Sequence, residues 1–489
     1  MAIGLYTSRI VLQVLGVDNY GIYNIVGGFI SMFSLISGSL SSSIQRFITF
    51  ELGTGNKERL RKIVSTGINV QIGISLVVIL LAESFGLWFL NNRMNIPVHR
   101  LYAANLVYHI SLVSFVINLL SVPYNAIIVA HEKMSAFAAI SFLEIVMKLV
   151  IVFLLYISSY DKLIVYSVLL LVIAFIIRTV YWVYCKRHFE ESRYKYVHDV
   201  ALMKEMSRFA GLTFLTGTAY LFNTQGVNIL INIFFNVGVN AARGIATTVQ
   251  TVTLQFADNF SFSLSPQITK LYASGNIMEM EKLVIRGAKF SFILALLICL
   301  PVIMETEYIL QLWLKEVPPH TAAFVRLSII GVIIDKLGST SCTACMATGE
   351  IRQYVALVAS IGCLVFPLTF LAYYMGAPVE TTYVILALVY IGVDGARLFI
   401  MKGLLHFPIW NFINEVILRC IAVSATATLI PVVYVSCFPP SLTRFVTSTI
   451  MTVALTAMSS YLLGLNKDER KFFTVKASGI IKGRLGLRL

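Results

Sequence analysis

The feature that most constrains the fold is a succession of long apolar runs separated by short polar breaks. A helix needs about 20 apolar residues to cross the roughly 30 Å hydrocarbon core of a bilayer. The sequence therefore predicts an all-α polytopic membrane protein with about fourteen transmembrane helices. These lie near residues 1–16, 21–45, 64–90, 101–130, 136–157, 162–184, 209–235, 239–265, 289–310, 321–348, 354–375, 380–401, 411–437 and 442–465.

Composition excludes most other classes of protein. Of the 489 residues, 58% are hydrophobic and 13% are charged, whereas soluble proteins average about 45–50% and about 25%. The connections leave no room for a bulky catalytic domain, and the chain has no P-loop, zinc-protease or nucleophile-elbow motif. Cys342 and Cys345 form a CxxC inside an apolar run, with no second pair nearby. We therefore expect no enzymatic activity, no metal and no cofactor.

The charges predict an orientation in the membrane. The net charge is +14, and the Lys and Arg residues lie mostly in one set of alternating connections, which holds 26 of them against six in the other. Cationic loops stay on the cytoplasmic side. We therefore expect both termini to be cytoplasmic, with the basic tail from residue 466 against anionic lipid. The first run has no basic segment before it and no cleavage site, so we expect no signal peptide.

The chain repeats itself at a separation of about 220 residues. Gly55 and Asn56 match Gly275 and Asn276, and the tryptophan at 88 has a counterpart at 313. A repeat of six helices predicts two pseudo-symmetric lobes that enter the membrane from the same side and enclose a central cavity. The predicted divisions are an N-lobe (1–184), a cytoplasmic linker (185–208), a C-lobe (209–402), two extra helices (403–465) and a tail (466–489).

Polar residues inside the apolar runs are candidates for function, because each is costly in lipid unless it faces a cavity or a partner. Arg9, Arg46 and Arg243 have no acidic residue within four positions. Guanidinium groups suit phosphate or pyrophosphate, and Lys270 could join them at the cytoplasmic mouth. Alternatively, each is an anchor at the membrane interface, especially Arg46 and Lys270, which lie near helix ends.

Two carboxylates are candidates for coupling. Asp258 has no cation within four positions, so it could bind an ion or proton, or could partner an arginine from another helix. Asp335 adjoins Lys336, but neighbouring residues point to different helical faces and form no obvious pair.

Other charged residues have helical spacing that predicts structural pairs. These are Glu144–Lys148, Asp394–Arg397 and Glu415–Arg419. Glu83 and His109 are lone polar residues in their runs, and we expect neighbouring helices to satisfy them.

Several stretches resemble one family over nearly the whole chain. They are LYTSRIVLQVLGVDNYGIYNIVGGF, SSIQRFITFELGTGN, VPYNAIIVAHEKMSAF and NAARGIATTVQTVTLQFADNFSFSLSPQITKLYASGN. These stretches look like the polysaccharide-export branch of the multidrug/oligosaccharidyl-lipid/polysaccharide (MOP) exporter superfamily, which includes the O-antigen flippases.

The resemblance implies a bacterial inner-membrane flippase that moves an undecaprenyl-pyrophosphate-linked oligosaccharide to the periplasmic leaflet. It implies a cationic cavity, to which Arg9, Arg46 and Arg243 would contribute. The expected partners are the lipid-linked oligosaccharide, membrane lipid and the polysaccharide polymerase machinery, but not nucleic acid. The alternative is a cation-coupled multidrug antiporter of the same fold that uses Asp258 or Asp335.

Overall fold

The computed structural model describes residues 33–93, 100–195, 199–235, 237–314, 317–467 and 469–471, and isolated positions between 10 and 30. Arg9 and most of the basic tail lie outside these residues. The described chain is helical and contains no strand, which confirms an all-α polytopic membrane protein. Nine of its described helical segments are long and apolar enough to cross a membrane: Lys57–Asn92, Leu101–Ala130, Met134–Ile157, Lys162–His188, Ile277–Met304, Ile351–Tyr374, Thr381–Leu405, Ile409–Cys437 and Leu442–Gly464.

The chain divides into two compact units. Unit 1 comprises residues 1–218 and 266–276, and unit 2 comprises 219–265 and 277–489. Two long helices, α7 (Val200–Phe234) and α8 (Val237–Ala273), each contribute residues to both units, and Pro266 lies where α8 passes from one to the other. The remaining helices of unit 1 are α1 (Ser34–Thr54), α2 (Lys57–Leu81), α3 (Leu87–Arg93), α4 (Leu101–Ala130), α5 (Met134–Ile157) and α6 (Lys162–His188).

Unit 2 contains the remaining helices, several of them interrupted. A 3₁₀ turn (Lys336–Gly338) joins α11 to α12, and a π-helical turn (Ile413–Ile417) joins α16 to α17. The helices are α9 (Ile277–Met304), α10 (Thr306–Trp313), α11 (Thr321–Asp335), α12 (Ser339–Thr348), α13 (Ile351–Cys363), α14 (Val365–Tyr374), α15 (Thr381–Leu405), α16 (Ile409–Phe412), α17 (Leu418–Cys437) and α18 (Leu442–Ser459).

The turns at the predicted repeat share one geometry. Gly55 ends α1 with φ of 76°, and Gly275 follows α8 with φ of 75°. Glycine adopts this left-handed conformation without a steric cost. The side chain of Asn56 then caps α2 by accepting a hydrogen bond from the Arg59 amide at 3.0 Å. The repeated Gly-Asn pair thus marks a helix end and a helix start at both places.

A π-helical turn, Ala82–Gly86, connects α2 to α3 within one membrane segment. The hydroxyl of Tyr108 on α4 donates to the Ala82 carbonyl at 2.7 Å. Glu83 lies in this turn and contacts His109 of α4, with Glu83 Oε1 2.9 Å from His109 Nδ1. This contact provides the partner on a neighbouring helix that was expected for Glu83 and for His109. Turns of this kind are frequent at functional sites.

Two buried ion pairs fix α18 and the residues after it to α9. Arg444 of α18 donates to Glu305, which follows α9, at 2.8 Å, and the Glu305 side chain has no exposed surface. Sixteen residues earlier, near the middle of α9, Lys289 donates to Glu469 at 2.6 Å and is also fully buried. Between these pairs, α18 buries a stripe of small polar residues, Ser448, Thr452 and Thr456, a composition that allows helices to approach closely.

We expect Glu305→Gln to lower the free energy of unfolding by about 3–5 kcal/mol, because it leaves Arg444 buried without a counter-charge. Lys282→Ala removes an exposed pair on α9, in which Lys282 contacts Glu279 at 2.8 Å, and should cost at most about 1 kcal/mol. Equilibrium unfolding of the purified variants in detergent measures both. Equal losses would contradict the importance of the buried pair.

Candidate functional site

Arg46 is held against aromatic rings in unit 1. It lies on α1, and its guanidinium is 4.9, 5.2 and 5.4 Å from the ring centroids of Phe47, Phe50 and Phe209. Such contacts stabilise a cation in a partly desolvated place. Glu205 lies close enough to interact with it electrostatically.

Lys270 belongs to a polar network in unit 1. Its ammonium group donates to Glu132 at 2.7 Å, and Gln267 donates to the other oxygen of the same carboxylate at 3.0 Å. Glu132 follows α4 with φ of 59°. The adjacent His131 bonds to Glu191 through its imidazole. The segment 131–133, in the stretch AHEKMSAF, thus ties the end of α8 to the chain that follows α6.

Arg243 is buried in unit 2. It lies on α8 with 7% of its surface exposed. The phenol groups of Tyr373 and Tyr383 are within electrostatic reach of its guanidinium. Burying a guanidinium is costly, and the group keeps its charge at any physiological pH. Arg9, the third predicted arginine, lies outside the described residues.

The candidate carboxylates both lie in unit 2, and each forms a salt bridge with a cationic side chain. Asp258 pairs with Lys336 of the 3₁₀ turn. Asp335 accepts from Arg397 of α15 at 2.9 Å, and the same guanidinium nitrogen donates to Asp394 at 2.7 Å. We call these five residues the charge cluster. The adjacent residues Asp335 and Lys336 therefore point to different partners, as their helical faces predict.

The local pairs expected from spacing are present. Glu144 and Lys148 are 2.7 Å apart, Glu415 and Arg419 are 3.0 Å apart, and Asp394 forms the predicted pair with Arg397.

The pairs that spacing along the sequence did not predict join distant parts of the chain. Four examples are Arg100–Asp161, His131–Glu191, Lys289–Glu469 and Glu305–Arg444, with separations of 61, 60, 180 and 139 residues. In the sequence, these pairs are indicated only by the position of each charged residue within or beside an apolar run.

The CxxC thiols are part of the packing around Arg397. The hydroxyl of Tyr354 donates to Cys342 Sγ at 3.1 Å, and the Cys345 thiol contacts the Arg397 carbonyl at 3.7 Å. Across the described part of the chain, no group of three His, Cys, Asp or Glu residues is placed to hold a metal ion.

Comparisons with known proteins agree with this architecture. The MatE family model matches residues 2–154. No curated protein sequence matches the chain significantly.

Solved structures are similar over most of the chain. One described as MATE in the straight conformation has 12% identity and a TM-score of 0.68, and covers 82% of this chain and 94% of that one. A multidrug resistance MATE family transporter of the MOP superfamily, in an outward-facing conformation, has 13% identity and a TM-score of 0.66, with coverages of 84% and 91%. A MOP superfamily transporter from Pyrococcus furiosus has 12% identity and a TM-score of 0.66, with the same coverages.

These similarities establish the fold of the MATE transporters. Together with the family match they support the MOP superfamily part of the resemblance and a multi-pass membrane protein.

The network around Glu132 predicts a pH dependence of stability. Burial alone would raise the pKa of Glu132, but hydrogen bonds from Lys270 and Gln267 outweigh it and hold the pKa below the ordinary 4.5. A depressed carboxyl pKa stabilises the fold above the unfolded-state pKa, and this contribution is lost as the pH falls through the folded-state pKa.

We expect Glu132→Gln to be less stable than the unmodified chain by about 0.5–1 kcal/mol at pH 7, since the pair is partly exposed. This difference should shrink as the pH falls below 4.5. Thermal unfolding in detergent, followed from neutral pH to about one unit below the ordinary glutamate pKa, measures it. Glu58→Gln, at an exposed pair with Lys62, is the control and should show little difference at any pH. A difference between Glu132→Gln and the unmodified chain that does not change with pH would refute the prediction.

Proposed function

We propose that this chain is a flippase for an undecaprenyl-pyrophosphate-linked oligosaccharide, which it moves from the cytoplasmic to the periplasmic leaflet of a bacterial inner membrane. The product would be used to build O-antigen or capsule. The proposal is supported by the fold of a MATE transporter and by the resemblance of the quoted stretches to polysaccharide exporters. In this proposal both termini are cytoplasmic, and the polymerase machinery consumes the product.

The observation that carries the choice of an anionic substrate is the burial of Arg243. A guanidinium with 7% exposure has lost most of its contact with solvent, and burying a charge is costly unless a polar or charged group compensates it. A bound pyrophosphate would compensate this positive charge, because the planar donors of a guanidinium match phosphate oxygens and the interaction strengthens in a low dielectric. Arg46, held among three phenyl rings, is a second cation of the same kind in unit 1.

The fold itself is compatible with different substrates. One similar structure is a multidrug resistance transporter, while the Pyrococcus furiosus transporter has a binding pocket whose reverse polarity suggests a different function for that protein. Substrate class must therefore be argued from the charged residues of this chain.

The alternative is a cation-coupled multidrug antiporter, which the multidrug description of a similar structure favours. Asp258 or Asp335 would then bind the coupling ion. In the structure these carboxylates already form salt bridges with Lys336 and Arg397, so a coupling ion would have to displace the lysine or arginine side chain. This requirement makes the flippase the better-supported proposal.

The function is tested by mass spectrometry of undecaprenyl-linked sugars in cells with and without the gene, with each leaflet probed separately. A flippase predicts that a complete repeat unit accumulates on the cytoplasmic face of deletion cells. Unchanged lipid-linked sugars together with altered sensitivity to cationic drugs would instead establish the antiporter.

The site is tested by arginine variants in the complemented deletion strain. Arg243→Ala should reduce surface glycan at least about tenfold if it loses about 1.4 kcal/mol or more of pyrophosphate binding, and Arg243→Lys should restore only part. The matched control is Arg326→Ala, which removes a half-exposed guanidinium of unit 2 that contacts Glu307 at 3.3 Å. Normal glycan in Arg243→Ala and Arg46→Ala cells, with the proteins present in the membrane, would reject a pyrophosphate-binding role for these two arginines.

A further inference from the structure

A histidine–glutamate contact joins the starts of two helices in unit 2. His320 immediately precedes α11, and Glu380 immediately precedes α15. His320 Nδ1 lies 2.5 Å from Glu380 Oε1, and both side chains are partly exposed to solvent. The distribution of Lys and Arg predicts that these helix starts lie on the periplasmic side. We call this side of each unit its outer end.

Unit 1 has a salt bridge at the corresponding places of the repeat. Arg100 immediately precedes α4, and Asp161 immediately precedes α6. Arg100 Nη1 donates to Asp161 Oδ2 at 2.5 Å. Each of these residues lies about 220 positions before its counterpart in unit 2. The two repeats therefore make the same kind of contact, but unit 2 uses a histidine where unit 1 uses an arginine.

The difference between histidine and arginine makes one contact sensitive to pH. A guanidinium keeps its charge at any physiological pH, whereas histidine side chains ordinarily change charge between about pH 5 and about pH 8. A protonated His320 attracts the Glu380 carboxylate as an ion pair, and a neutral imidazole retains at most a weaker hydrogen bond. The contact in unit 2 therefore changes strength in a range of pH in which the contact in unit 1 stays the same.

The backbone at His320 is unusual for a residue other than glycine. Its φ is 67°, in the left-handed region that side chains with a Cβ disfavour. Such conformations persist where the surroundings hold them, and they are frequent in switch regions. The Thr321 hydroxyl holds this turn by donating to the Pro318 carbonyl at 2.7 Å. The chain thus retains a costly conformation at the residue that makes the contact.

The segment that carries Glu380 is held by a separate hydrogen bond. The hydroxyl of Tyr373, on α14, donates to the Val379 carbonyl at 2.9 Å. Tyr373 is also within electrostatic reach of Glu380. On the other side of the contact, the His320 ring lies beside Phe324, which packs on Tyr383. Phenol groups ordinarily titrate near pH 10, so neither tyrosine changes charge in the range of histidine.

The charged groups on the neighbouring helices do not titrate in that range either. Arg326 of α11 pairs with Glu307 of α10 at 3.3 Å, and Arg243 of α8 lies within reach of the two phenols. Guanidinium groups stay charged, and glutamate ordinarily titrates near pH 4.3. Lys315 and Glu316 precede the turn in the sequence and lie outside the described residues, so the test below includes Glu316.

We propose that His320 and Glu380 form a pH-sensitive clasp, which holds the outer ends of α11 and α15 together when the imidazole is protonated and loosens as the pH rises. The clasp makes the outer end of unit 2 respond to the pH of the surrounding solution. The arginine contact leaves the outer end of unit 1 without this response. The proposal does not depend on which substrate the chain exports.

The test is amide hydrogen exchange of the purified full-length chain in detergent. Variant and unmodified chains are compared at the same pH, so that the effect of pH on the exchange chemistry cancels. The peptide to follow contains Thr381 and Tyr383, whose amides donate to the carbonyls of Pro378 and Glu380 at 3.0 Å. In Glu380→Gln we expect it to exchange about threefold faster than in the unmodified chain at about pH 5.5, as for loss of a partly exposed ion pair.

At about pH 8 the exchange rates of Glu380→Gln and the unmodified chain should be nearly equal, because a histidine is then mostly neutral. His320→Asn should reproduce both results, since asparagine tolerates the left-handed backbone and has no proton to lose in this range. Glu316→Gln should leave the exchange of this peptide unchanged at both pH values.

Asp161→Asn is the matched variant in unit 1, because asparagine can still cap α6. The peptide to follow contains Leu163, whose amide donates to the Asp161 carboxylate at 3.0 Å. It should exchange faster than in the unmodified chain by the same factor at both pH values. Both chains carry His99→Gln in this comparison, since His99 adjoins Arg100 in the sequence and histidine titrates in this range.

Three results would overturn the proposal. An equal effect of Glu380→Gln at the two pH values would show that the contact does not depend on protonation. A pH-dependent effect of Glu380→Gln that persists when both chains carry His320→Asn, or that disappears in Glu316→Gln chains, would assign the titration to another group. The same pH dependence in Asp161→Asn would show that any lost carboxylate behaves in this way.

Discussion

A charge within an apolar membrane helix needs an opposite charge or water, and much of this structure follows from that requirement. Arg397 forms salt bridges with two carboxylates, Asp335 and Asp394, and Lys336 forms one with a third, Asp258. The same rule fixes α18 and the residues after it, which are tied to α9 and the residue that follows it by Glu305–Arg444 and Lys289–Glu469. In unit 2, charge pairing thus supplies directed contacts between helices, which lipid-facing apolar side chains do not provide.

Much of the architecture could be predicted from the sequence because the relevant signals are local. Apolar runs long enough to span a bilayer give helices, and charges three or four positions apart give pairs such as Glu144–Lys148 and Glu415–Arg419. The Gly-Asn repeat was also readable, because the left-handed conformation at Gly55 and Gly275 depends on a single residue type.

The rest of the site could not be predicted, because it depends on which helices are neighbours. Nothing near Asp258 in the sequence points to Lys336, 78 positions away. Asp335 and Lys336 show the same limit, because these adjacent residues pair with side chains of two different helices, Arg397 and Asp258.

The π-helical turn Ala82–Gly86 affects how this chain can be compared with others. A π-helical turn accommodates one residue more than the α-helix it interrupts, and one residue corresponds to about 100° of rotation. The apolar faces of α2 and α3 are therefore out of phase, so that no single helical period describes the segment. A relative with an uninterrupted α-helix here would align only with a one-residue gap inside the membrane span, a place where alignments normally allow none.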